Sequence, residues 1–429
     1  MDKISRFPDE LLVKVLTFLP TKEAVSTSIL SKRWEHLWKW LPKLEYDDQH
    51  YSESERKRLR CFIVRSLPLH KAHVIESLRL KLSNYFKPQV IKWIVATAVS
   101  RNVREKVIEI DASSTETQFI LPRSLYTTGS RTLVTLKLQN AVFVDASKMV
   151  SFPLLKTLSL ISMKYPRDAF IRRLLSSCPV LEDLFVVKCR GDNVACLVVR
   201  VPSLKFLTVR TTAEVDYHQG LVLDVPSLEF LDIVDYTDGF CLVENSMHKV
   251  VEAHLDVTYS HPQQLLASLT SLVQLSLCLT TSMDAHFDGT IFRQLEQLKV
   301  CTCETTEWLD LLMRLLKAAP NLRFIVLELF HGIRTGDPIL GWNQPSRVPE
   351  CLLSTLEYFD WRQYGGTEEE KQVARYILGN FGRLGLATFY PKSTNPVKNL
   401  QMLKELSMSP RRSSVCRVEF CGNYSSVSK

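Results

Sequence analysis

Between residues 133 and 327 the chain repeats one short pattern, apolar-x-x-apolar-x-apolar, nine times. The first five copies are Leu133-Val-Thr-Leu136-Lys-Leu138, Leu155-Lys-Thr-Leu158-Ser-Leu160, Leu181-Glu-Asp-Leu184-Phe-Val186, Leu204-Lys-Phe-Leu207-Thr-Val209 and Leu228-Glu-Phe-Leu231-Asp-Ile233. A degenerate Val250-Val-Glu-Ala253-His-Leu255 follows, then Leu272-Val-Gln-Leu275-Ser-Leu277, Leu295-Glu-Gln-Leu298-Lys-Val300 and Leu322-Arg-Phe-Ile325-Val-Leu327. Successive middle residues lie 22 to 27 positions apart. One such hexapeptide means nothing, but nine at near-constant spacing demand a stacked array in which each unit buries apolar surface on its neighbours. Two weaker strands precede them, around Leu78-Arg-Leu80 and Val107-Ile-Glu-Ile110.

The period lies in the range of leucine-rich repeats, whose strands line a horseshoe. Pro153, Pro179, Pro202 and Pro226 each stand two residues before a first anchor, where they stop helix and ladder alike. Segments 168–177 and 307–317 have helical periodicity, whereas those between 186 and 204 and between 209 and 228 are too short or β-rich for a full helix. A mixed outer face follows. Period-two alternation then selects the residues of the open face, and Lys137, Phe185, Phe206, Arg210, Phe230, Asp232 and His254 form the candidate target-binding set. The three phenylalanines fall on successive repeats, either as lateral stacking under loops or as an aromatic hot spot for a partner.

Ahead of the repeats stands Phe7-Pro-Asp-Glu-Leu-Leu, then Leu19-Pro-Thr-Lys-Glu-Ala24 and Leu30-Ser-Lys-Arg-Trp34. Pro8 and Asp9 open one helix, with Leu11, Leu12, Val15, Leu16 and Leu19 on one apolar stripe. Thr21 and Ser31 are candidate N-caps for two more helices. These helices carry more apolar side chains than they can hide from one another. The pattern closely resembles the F-box, which docks on the adaptor Skp1 of SCF ubiquitin ligases. By that resemblance the Skp1-binding residues are Pro8, Leu11, Leu12, Val15, Leu16, Leu30, Ser31, Arg33 and Trp34. A linker helix follows, from Ser54 through Leu67.

Past the turn-rich Gly341-Trp-Asn-Gln-Pro345 the spacing breaks. Segment 348–361 reads as another strand of repeat type, and Thr367 with Glu370 as a capping box for a helix to about Gly379. A strand near 386–389, a helix from Asn395-Pro396 and a strand over 415–420 complete a βαβαβ-like tail, with Phe381-Gly-Arg-Leu-Gly385 loosening the first helix end. Val348-Pro-Glu-Cys-Leu-Leu-Ser-Thr-Leu-Glu357, Gly366-Thr-Glu-Glu-Glu370 and Pro391-Lys-Ser-Thr-Asn-Pro396 resemble the FBD domain found behind F-box and repeat segments in plants. The fold expected is therefore α/β: a three-helix F-box (1–48), a linker helix (49–72), a leucine-rich-repeat horseshoe (73–345) and a closing FBD segment (346–422).

No motif for catalysis stands out: there is no P-loop, GxSxG or HExxH. His254 between Glu252 and Asp256 is the nearest approach to a cluster and reads as a hydrated triplet. Cys189, Cys196, Cys241 and Cys278 lie in strand-like runs as reduced, buried thiols, and the close pair Cys301-Thr-Cys303 lacks a second half for zinc. No metal or cofactor is expected. The formal charge of +8 is spread over a face of mixed sign, which argues against nucleic acid. The absence of an apolar signal core or span points to an intracellular protein, in cytoplasm, nucleus or both, with no membrane partner. The resemblance implies a non-catalytic substrate-recognition subunit of an SCF-type ligase, joined through a Skp1-like adaptor to a cullin and presenting a protein target. The alternatives are a non-ligase interaction scaffold and a repeat receptor for a small ligand.

Overall fold

A computed structural model describes residues 4–72, 74–83, 85–99, 103–110, 119–126, 131–145, 150–211, 220–259, 261–279, 290–301, 308–328 and 347–422. The chain forms two compact units, Met1–Asp216 and Tyr217–Lys429. In the first, strands Lys43–Asp47, Ser77–Leu82, Glu105–Ile110, Thr135–Gln139, Thr157–Ile161, Asp183–Lys188 and Phe206–Thr211 pair in chain order, all parallel. In the second, strands Phe230–Asp235, Glu252–Val257, Gln274–Leu279, Gln297–Cys301, Phe324–Glu328, Tyr358–Tyr364, Leu386–Pro391 and Arg417–Phe420 do the same.

The anchors of the repeat become columns of buried side chains. In the first unit Leu44, Leu78, Lys106, Leu136, Leu158, Leu184 and Leu207 stand in one register, and all are buried. Lys106 is the outlier, a lysine where the pattern asks for leucine. In the second unit the next column runs Ile233, Leu255, Leu277, Val300, Leu327, Trp361 and Phe389, all buried, and ends on the half-buried Phe420. At its aromatic end Trp361 and Phe389 stack at 6.4 Å, and the flanking rings pack edge-on, Phe359 5.7 Å from Phe389 and Tyr364 5.1 Å from Trp361.

The prolines act one step earlier than a simple strand block. The Leu155 N–H donates to Phe152 O, Leu181 to Cys178 O, Leu204 to Val201 O and Leu228 to Val225 O, so each proline is the second residue of a four-residue turn ending on the anchor. Proline's fixed φ suits that position. Leu322 N–H donates to Ala319 O across Pro320, a fifth case.

On the outer side, helices Pro88–Val99 and Asp168–Ser176 and the short strand Cys196–Arg200 fill the first unit. In the second, strands Gly220–Asp224 and Phe240–Val243 pair in parallel, and Trp308–Ala318 is the longer helix, with Gln263–Ala267 a single turn. The segments judged too β-rich for a helix are strands.

Two stretches differ from expectation. Segment 348–361 opens with a helix, Glu350–Ser354, entered at Pro349, and its strand begins only at Tyr358. Gly382 does not loosen its helix end: a Cβ there would lie 2.3 Å from Leu353 O, so glycine is what lets the two backbones meet. The capping box forms as read, Glu370 N–H donating to Thr367 Oγ1 and Thr367 N–H to Glu370 Oε2, ahead of helix Glu368–Asn380. Asn395 caps helix Pro396–Ser407. Ser52 and Glu55 cap the linker helix, Glu53–Ser66. The turn-rich 341–345 lies outside the described residues.

Candidate functional site

The N-terminal helices are Asp9–Leu16, Thr21–Ser26 and Trp34–Leu37, with a tight turn at Thr27–Ile29 after the second and another at Trp38–Trp40 after the third. They have a core of their own: Leu12, Leu16, Ala24, Trp34, Leu37, Trp38 and Leu41. Leu12 and Leu16 are 1% exposed and Trp34 8%, so these three are corrected from partner contact to internal packing. Pro8, Leu11, Val15, Leu30 and Ser31 lie on the surface. Adjacent leucines on one helix thus face opposite ways, and no apolar count could separate them.

What remains outside is unusually apolar for so small a unit. Leu11, Val15 and Phe18 follow at i, i+4 and i+7 and make one exposed stripe, Phe18 being 82% exposed. Phe7, Leu19, Ile29 and Leu30 are exposed too, Ile29 at 86%. Nothing in the pattern singles out Ile29, whereas the i+7 spacing from Leu11 carries the signal for Phe18. Arg33 is half-buried and works inside the unit. Its Nε and Nη2 donate to Asp9 Oδ1 at 2.9 and 2.7 Å, and Nη2 also to Phe7 O. It fixes the chain entering the first helix, and with it the direction of Phe7.

Neither expected cap holds. Ser31 lends its carbonyl, not its hydroxyl, to the helix at Trp34. Thr21 is the first residue of its own helix, and its buried hydroxyl accepts from Glu45 N–H at 2.8 Å. Glu45 belongs to the strand Lys43–Asp47, which the sequence reading left inside the helical segment 1–48. That strand is the first of the parallel run, so helices and sheet share one piece of chain. His70 Nε2 on Leu41 O and the N–H groups of Lys71 and Ala72 on Lys39 O bind them further.

On the strands, Lys137, Phe206, Arg210 and His254 are exposed, Phe185 and Phe230 half-buried, and Asp232 is buried. Phe185 pairs with Ser159 and Thr208, while Phe206 pairs with Asp183. The two rings are thus two residues out of register, not side by side. The offset follows from the pattern, since Phe185 comes after a middle anchor and Phe206 before one. Phe230 meets His254 edge-on at 5.5 Å, and His254 Nε2 lies 2.9 Å from Glu252 Oε1. Asp256 accepts instead from Tyr236 OH at 2.6 Å. The better-stacked pair is Phe324 on Tyr358, with centroids 4.7 Å apart and planes at 3°. It was not anticipated. Nearby, Glu328 takes both Lys299 Nζ at 2.7 Å and Arg362 Nη1 at 2.9 Å.

Chemistry that needs a thiolate has poor material here. Burial pushes the Cys178 and Cys351 thiols up to about 12 and those of Cys241 and Cys278 higher still. Cys189, Cys196, Cys241 and Cys278 are free, Cys301 is disulfide-bonded, and Cys303 lies outside the described residues. Among the described residues no group of three His, Cys, Asp or Glu could hold a metal ion, and no helix is long and apolar enough to cross a membrane. A cavity lined by Met163, Tyr165, Lys188 and Asp192 among others measures about 10 Å³, room for one water.

Three family models match the chain. Residues 4–46 match the F-box domain, residues 91–253 the leucine-rich repeats described for FBD-associated F-box protein At5g56370, and residues 344–389 the FBD domain. Among curated proteins, "Probable FBD-associated F-box protein At1g32375" of Arabidopsis thaliana is 48% identical over 425 residues, covering 98% of this chain and all of the relative. "Putative FBD-associated F-box protein At5g56390" of the same plant is 46% identical over 431 residues, covering 99% and all. "F-box/FBD/LRR-repeat protein At5g56420", again from that plant, is 43% identical over 425 residues, covering 98% and 99%.

Proposed function

Because this chain belongs to the family of FBD-associated F-box proteins with leucine-rich repeats, we propose that it is the substrate-recognition subunit of an SCF-type ubiquitin ligase. The observation that carries this reading is the exposed stripe Leu11, Val15 and Phe18 with Ile29 and Leu30 beside it, on a helical unit whose core is already complete. A surface of that kind marks a protein interface. Its occupant in this reading is a Skp1-like adaptor, and through it a cullin. The apolar side chains fill the adaptor's groove, Pro8 and Ser31 lie at its margin, and Arg33 holds Phe7 in place.

Ubiquitin transfer then needs no nucleophile here, since holding the target near a charged conjugating enzyme supplies the rate. The strand faces carry the target contact, through Lys137, Phe185, Phe206 and Arg210 in the first unit. In the second they are Phe230, His254 and the stacked Phe324 and Tyr358, with the buried Asp232 left out. The same reading takes the parallel runs as a horseshoe closed by the FBD segment, divides the chain at 1–48, 49–72, 73–345 and 346–422, and places it in cytoplasm or nucleus.

The test is co-purification of the full chain with a Skp1-type adaptor and cullin. Val15→Asp with Phe18→Asp abolishes capture while the circular dichroism spectrum and Tm stay put. Capture by that double variant, or none by the unaltered chain, sinks the reading. Substitution suits this test better than removing residues 1–48, which would strip the first strand from the sheet.

A further inference from the structure

Among the described residues the strand Arg417–Phe420 has one neighbour, Leu386–Pro391, and stands last in the strand order. Arg417 N–H donates to Gly385 O and Cys421 N–H to Phe389 O, both at 3.0 Å. In a parallel ladder alternate residues bond to the same side, so the N–H and C=O groups of Val418 and Phe420 point away from the sheet. An edge of this kind is a template for another strand. Its two side-chain faces differ. Arg417 and Glu419 are exposed and opposite in charge. Val418 and Phe420 stand in register with the fully buried Ala387 and Phe389, yet are only half-buried themselves. Val415, just before the strand, is 71% exposed.

We propose that this edge pairs antiparallel with the same edge of a second copy, about a two-fold axis through Val418. Three requirements select that register together. The outward backbone groups must meet, and at the centre they do: Val418 faces Val418 of the second copy, while Phe420 N–H faces the Cys416 carbonyl, which already accepts from Arg411 Nη1 at 3.2 Å and would share its second lone pair. Opposite charges must face, and Arg417 then stands against Glu419 in both directions. Apolar groups must continue the core, which Val418 on Val418 and Phe420 on Cys416 achieve. A slip of one residue turns every side chain to the wrong face. A change of pairing by two residues sets Glu419 against Glu419, or Arg417 against Arg417, and like charges directly opposed are destabilising. A foreign strand could use the same hydrogen bonds, but the alternation Arg-Val-Glu-Phe is complementary to itself. The contact is isologous and closes at two copies.

Sedimentation of the full chain over a concentration series tests this, together with two charge variants. The unaltered chain forms a reversible dimer. Glu419→Arg weakens it by about tenfold or more, since two favourable pairs become two repulsive ones. Arg417→Glu combined with Glu419→Arg restores it, because the swapped pattern is again self-complementary. Both side chains are exposed, so an unchanged Tm certifies that the variants are folded. The proposal is overturned if the chain is monomeric at every concentration, if the dimer ignores Glu419→Arg, or if the double exchange does not recover it. A monomeric full chain that dimerises only when ended at Gly422 overturns it too, by showing that residues 423–429 cover the edge.

Discussion

The first and last inner strands of this chain invite comparison. Lys43–Asp47 and Arg417–Phe420 both alternate charged and apolar residues, and each has a single parallel neighbour described above. Yet Leu44 and Tyr46 are each 2% exposed, while Val418 and Phe420 remain half-buried. The difference lies in what stands outside each strand. Thr21 reaches from its helix to occupy Glu45 N–H, so the first edge is both capped and covered. Nothing comparable, among the described residues, occupies Val418 or Phe420. One end of the repeat grammar is sealed by a helical unit that shows its own apolar face outward; the other keeps a bare template. A repeat array needs special ends, and here the two ends are managed by different means.

The largest effect that separates them comes from the core of the sealing unit. Leu16→Asp places a carboxylate among Leu12, Trp34 and Leu37 and costs about 3–5 kcal/mol. The helices then become protease-sensitive and the Lys43–Asp47 edge is exposed, whereas Val15→Asp one position away shifts stability by no more than about 0.5 kcal/mol. Limited proteolysis read against thermal melts distinguishes the two. Equal losses would show that the inner and outer stripes are not distinct.

Next in size is Lys106, buried at an anchor position of the first unit, where burial pushes its amine down to about 8. Between that value and the ordinary 10.5 the unfolded chain holds a proton that the folded chain has lost, so stability rises with pH across this window. Below it the folded state carries the charged amine in a buried site, at a net cost. Lys106→Met therefore stabilises the protein by about 2 kcal/mol at neutral pH, and the gain fades toward pH 10.5. Chemical unfolding of both chains at two pH values checks the sign, and a gain that grows with pH would refute it.

The smallest effect is the most local. Thr21→Val keeps the shape but leaves Glu45 N–H without an acceptor, at a cost of about 1–2 kcal/mol. Hydrogen exchange at that amide should accelerate while Arg417–Phe420 is unchanged. An unchanged Glu45 amide would mean that the edge is sealed by packing alone.

How legible was this in the sequence? The columns were, because the repeat fixes which residues face inward, and Leu136, Leu184 and Leu231 are where the pattern puts them. So were the caps at Thr367 and Asn395, whose chemistry is complete within four residues. The failures are non-local. Leu41-Pro-Lys-Leu44-Glu-Tyr46 does fit the hexapeptide, but it stands apart from the regular spacing and directly behind the third helix, so its place as a strand shows only through its pairing with Ser77–Leu82. Thr21 looked like a helix cap because its acceptor role serves an amide 24 residues away. Leu12 and Leu16 were placed with Leu11 and Val15 because one stripe of five apolar residues hides two directions, and only the third helix decides which faces in.

The four-residue turn in front of the anchors from Leu155 to Leu322 has one more consequence. Its hydrogen bond spans only three residues, so the start of each strand that follows one, from Thr157 to Phe324, is set by its own doorstep and not by the length of what came before. Intervals of 22 to 27 residues can therefore feed the same ladder, the surplus being taken up on the outer side as helix or short strand. A gene encoding such a chain can lose, gain or exchange one turn-to-turn interval and leave both flanking strands in frame. Variation is cheap where the chain bulges outward, and the inward columns inherit none of it.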